Sequence, residues 1–108
     1  LEALLVKLRE SLAAMEAFEP EPNPSKGLKA FAKPLEPIQR ELKVAKDAPK
    51  MLDEILKGVR SYGAGYSSYE DRLLNQFLIF KDRTVFLLQH QIRAAEQALE
   101  RAQFNEAK

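Results

Sequence analysis

Few residues in this chain are of a type and spacing that could carry out chemistry. The only histidine, His90, stands between Gln89 and Gln91. It lies between the apolar positions Leu88 and Ile92 but on the opposite side of a helix, so it is expected to face solvent rather than act as a base or metal ligand. The acidic pairs Asp53-Glu54 and Glu70-Asp71 are adjacent in sequence. Neighbours on a helix diverge by about 100°, so neither pair is placed to share a proton or a metal ion. There is no Gly-x-Ser-x-Gly nucleophile turn, no His-Glu-x-x-His pair and no phosphate-cradling glycine loop. With no cysteine, disulfides and thiolate metal sites are excluded. The expectation is a non-enzymatic chain with no catalytic residue, no metal site and no cofactor.

Other residues suit recognition. Between Lys26 and Arg60 nine basic residues stand against five acids, +4 for this segment where the whole chain carries +1. Arg40, Lys43, Lys46 and Lys50 recur at helical spacing and give one basic face, suited to an anionic membrane surface or an acidic partner, or simply to water. The balance of 17 basic against 16 acidic residues lacks the basic excess of a dedicated nucleic-acid binder. Tyr62, Tyr66 and Tyr69 cluster around Gly63 and Gly65, where they either anchor a partner or close the end of a core. Lys81 interrupts an apolar seam, setting register or snorkelling to the edge. Pro34-Leu35-Glu36-Pro37 matches a P-x-x-P ligand in form, but it is embedded in a periodic apolar segment, which marks the match as accidental.

The elements that must position these residues are helices. Leu1, Leu5, Leu8, Leu12 and Met15 fall at alternating steps of four and three, the seam of a coiled-coil-like helix over about 1–19. Pro20, Pro22 and Pro24 stop it and make 20–25 a stiff connector, after which Ser25 is the expected cap and Gly27 a weak point in it. Leu28, Phe31, Leu35, Ile38, Leu42, Ala45, Pro49, Leu52, Leu56 and Val59 keep the same alternation. Pro37 is read as lying near a first helical position. Because the apolar phase is kept through Pro49, a kink there is favoured over a reversal. Gly63 is placed for a C-cap, 63–67 forms a Gly/Tyr turn, and Ser67-Ser68-Tyr69-Glu70 matches a capping box.

The last helix, about 68–105, has no proline or glycine and carries the seam Leu74, Leu78, Lys81, Val85, Leu88, Ile92, Ala95, Leu99 and Ala102. A second stripe, Leu73, Phe77, Phe80 and Leu87, broadens its first half. The expected architecture is an all-α, up-down-up bundle of three long heptad-patterned helices, about 1–19, a kinked 26–62, and 68–105, or four helices if the middle one breaks at Pro49. The last helix outruns its partners, so the narrow seam Ile92, Ala95, Leu99 and Ala102 is expected to take a partner helix: a second copy, a flanking segment in cis or a different protein. The function this implies is an interaction or oligomerisation module; the alternative is a peripheral membrane-targeting bundle of a larger protein, using the basic middle face or the tyrosine tip. No small-molecule substrate is indicated. No apolar run is long enough for a membrane span and no signal peptide is visible, so a single-domain cytoplasmic excerpt of a longer protein is the expectation.

Overall fold

The computed structural model describes residues 2–61 and 69–107, and the side chains of 2–58 and 70–105 within them. The described residues are all-α: α1 (Glu2–Glu16), α2 (Pro24–Ala32), a 3-10 segment (Lys33–Ile38), α3 (Lys43–Ser61) and α4 (Tyr69–Ala107). α4 has 39 residues, about 58 Å at 1.5 Å each, and so spans most of the 64 Å long axis. The other elements pack along it.

Pairs of contacts give the directions. Phe18 just beyond α1 meets Phe77 and, through its carbonyl, Lys81, whereas Arg9 pairs with Glu96, so α1 runs antiparallel to the distal part of α4. Phe18 also meets Phe31 while Lys7 pairs with Glu41, so the chain from 31 to 41 runs back along α1. α3 then touches the 3-10 segment, α2 and α4, returning in the opposite sense. The result is a bundle of four alternating runs.

This divides the middle segment differently from the single kinked helix expected over 26–62. Pro34 and Pro37 remove two amide donors within four residues, too many for continued α-helical bonding, and the chain tightens into the 3-10 segment. Pro37 therefore lies inside that segment and not at the start of an α-helix. The chain turns between Gln39 and Leu42, and α3 runs without interruption through Pro49. The reversal thus lies upstream of the proline that was its suspected place. The apolar phase survives because both sides of the turn face one core. Pro34 and Leu35 are buried in it, which removes the extended ligand form of the P-x-x-P match.

The caps differ too. α2 begins at Pro24, so the connector is shorter than 20–25, and its cap is Asn23, whose side-chain oxygen accepts from the Lys26 amide at 3.1 Å, and not Ser25. Gly27 is buried because the Phe77 ring lies on it: a Cβ there would stand 2.6 Å from Phe77 Cε2. Around that contact Phe18, Phe31, Phe77 and Phe80 form an aromatic cluster with ring centroids 5.6–6.3 Å apart, the offset and edge-on range that favours such rings. The inner stripe of α4 (Leu73, Phe77, Phe80) is the more buried one, and Leu78 of the expected seam is 45% exposed. The Gly63 cap and the serines of the capping box lie outside the described residues.

Candidate functional site

α1 lies along the part of α4 that carries the seam expected to need a partner, with Arg9 paired to Glu96. Ile92 and Leu99 pack partly buried against the core, Ala95 is buried, and Ala102 is exposed. Tyr62 and Tyr66 lie outside the described residues, as does the side chain of Tyr69. His90 is exposed. Lys81 is half-buried, and its ammonium donates to the Phe18 carbonyl at 2.8 Å, serving a backbone acceptor just past the end of α1 that the helix itself cannot pair.

Arg40, Lys43 and Lys46 come together around an open hollow of about 550 Å³ at the turn into α3, with Gln39 and Glu41 completing its wall. Lys50 is exposed farther along α3. Glu41 accepts from Lys7 Nζ at 2.6 Å. That hydrogen bond is the main reason its carboxyl is held below the ordinary range, with the Lys7 and Arg40 charges adding to it against some desolvation. The cluster is a basic corner with one carboxylate inside it.

A feature that the sequence reading passed over lies on α3. Of its expected seam, Ala45, Leu52 and Leu56 are buried, with Leu52 fully enclosed, Pro49 is half-buried, and the side chain of Val59 lies outside the described residues. A second row, Val44, Ala48, Met51 and Ile55, follows the same alternation of four and three beside it. Val44 is 50%, Met51 53% and Ile55 37% exposed, while Ala48 is partly buried. One step on stands Gly58, where a Cβ would meet nothing within 4 Å. The two rows together widen the apolar side of α3 beyond what its own bundle covers. The signal was present in the sequence: a helix with two adjacent heptad rows has more apolar arc than one neighbouring groove can fill.

Other exposed apolar residues do not line up in this way. Phe86 and Phe104 are on one side of α4, eighteen residues or about five turns apart. Between them that side carries Gln89, His90, Arg93, Gln97, Glu100 and Arg101. A groove of about 610 Å³ between the end of α1 and the 3-10 segment has a floor of Ala14, Ala17, Ala30, Pro34 and Pro37, with Glu10, Glu19, Glu36 and Lys33 at its edges. Among the described residues, no group of three or more His, Asp and Glu could hold a metal ion, and no helix is long and apolar enough to cross a membrane. Compared with models of known protein families, with curated proteins and with solved structures, the chain matches none.

Proposed function

We propose that this chain is a non-enzymatic helical interaction module, which presents the outer row of α3 to a partner helix. The observation that carries it is the half-exposure of Val44, Met51 and Ile55 at seam spacing on a helix whose parallel row buries Ala45, Leu52 and Leu56. A seam of that spacing accepts the knobs of a facing helix, and left in water it forfeits the burial energy that its apolar side chains could yield. Of the α4 seam expected to bind, Ile92 to Ala102, Ala95 is buried and Ile92 and Leu99 pack against the core, while Ala102 is exposed; the more exposed row of α3 is therefore the surface favoured for the partner.

The test is fluorescence anisotropy with a synthetic helix of about three heptads, apolar at its seam and glutamine at every flanking position, alongside sedimentation equilibrium. The expected result is saturable association with the peptide or with a second copy, lost in the double variant Met51→Gln/Ile55→Gln. A strict monomer that ignores the peptide overturns the reading. Co-flotation with anionic vesicles that Lys43→Glu abolishes would replace it with membrane attachment through the basic corner.

A further inference from the structure

Resting on the reading of the outer row of α3 as a helix-binding seam, we infer that its partner is a different amphipathic helix carrying Lys or Arg beside its apolar seam, and not a second copy of this chain. With Val44, Ala48, Met51 and Ile55 as the alternating core positions, the residues that flank the seam on its solvent side are Asp47 and Glu54. Both are acidic, one heptad apart, and neither is in an ion pair among the described residues. The cations Lys43, Lys50 and Lys57 stand farther round the helix, and Lys57 is held by Asp53 at 3.1 Å.

On the other side of the seam the flanking positions are Ala45 and Leu52, both buried inside the bundle. On α3 itself, the only charges at the positions that directly flank this seam are therefore the two acids, with the lysines one column farther out. Flanking charges of opposite sign are what select a partner for such a seam, and like charges reject one. A second copy docked antiparallel would bring Asp47 and Glu54 against the same two carboxylates. Docked parallel, it would set them opposite Ala45 and Leu52, which offer no cation. Neither orientation neutralises the acids, whereas a basic-flanked helix neutralises both. Gly58 extends the seam at its far end with no side chain, leaving room for the partner's backbone to come close.

The experiment uses three peptides with one apolar seam and flanks of Lys, Glu or Gln, titrated against the whole chain at low salt. Each exposed flanking contact changes affinity by a factor of about two. Two attractions exchanged for two repulsions then make the Lys-flanked peptide bind about fifteenfold tighter than the Glu-flanked one. The double variant Asp47→Lys/Glu54→Lys, with its fold checked by circular dichroism, should reverse that order. Equal affinity for all three flanks overturns the inference while leaving the seam intact. Failure of every peptide removes the seam itself. A dimer in sedimentation equilibrium that Met51→Gln dissociates would place a second copy there and overturn the inference directly.

Discussion

α3 carries two apolar rows of the same spacing and similar residue types, and they have opposite fates. The inner row of Ala45, Leu52 and Leu56 is at most 3% exposed; the outer row of Val44, Met51 and Ile55 is 37–53% exposed. Composition does not separate them, since each offers aliphatic side chains to whatever comes near. What separates them is geometry. α2, the 3-10 segment and α4 all contact α3, and among the described residues none of them covers Val44, Met51 and Ile55. Heptad periodicity thus reports that a surface wants a neighbour, and the rest of the fold decides whether this chain provides it.

Shortening one residue of each row should separate the two rows most. Leu52→Ala removes packed atoms from a closed site and is expected to cost about 2–5 kcal/mol of unfolding free energy, the usual range for a buried leucine. Met51→Ala removes atoms that water already touches and should stay within about 0.5 kcal/mol. Denaturant unfolding of both variants measures the contrast. Equal costs would mean that the outer row is covered in solution, by a second copy or by a part of the chain outside the described residues.

Two glycines differ in the same way. At Gly27 an added methyl meets the Phe77 ring, which Phe18 pins within the aromatic cluster, so Gly27→Ala is expected to destabilise by about 1–3 kcal/mol. At Gly58 the same methyl meets nothing, and the gain in helix propensity should stabilise by about 0.5–1 kcal/mol. One substitution made at two glycines then reads with opposite sign in thermal unfolding. If the proposed partner helix lies close to Gly58, the variant stabilised there binds that helix more weakly.

The helical content and most core positions were legible from periodicity alone, because Leu8, Met15, Phe31, Leu35, Ile38, Leu52 and Leu56 keep a fixed step and the step belongs to helices. The turn after Ile38 was not. It depends on how two prolines three residues apart are accommodated, and an unbroken apolar phase conceals a reversal when both arms face one core. Ser11 is polar in type and fully buried in fact, a cost of close packing that spacing does not announce. The role of Gly27 required knowing that a phenylalanine fifty positions later lies on it. The outer row of α3 was written in the sequence, but following one seam along the segment hid its neighbour.

The smallest expected contrast lies in two ion pairs. Lys7–Glu41, 2.6 Å, joins α1 to the turn that precedes α3, whereas Asp53–Lys57, 3.1 Å, lies within a single turn of α3. Both are exposed enough for water to screen much of their attraction. Only the first ties together segments distant in sequence, and Glu41 is the carboxyl whose titration is displaced downward, by its bond to Lys7 above all. A carboxyl with a lowered folded-state pKa stabilises the fold at pH values above its unfolded titration. That contribution is lost as the pH falls through the folded value. The melting temperature of the wild type should therefore exceed that of Glu41→Gln slightly at neutral pH, and the gap should close on acidification. Asp53→Asn, which removes a pair within one helix, should lower the melting temperature less. A larger effect at Asp53 would mean that the fold depends more on the intrinsic helicity of α3 than on the contacts that turn the chain back into it.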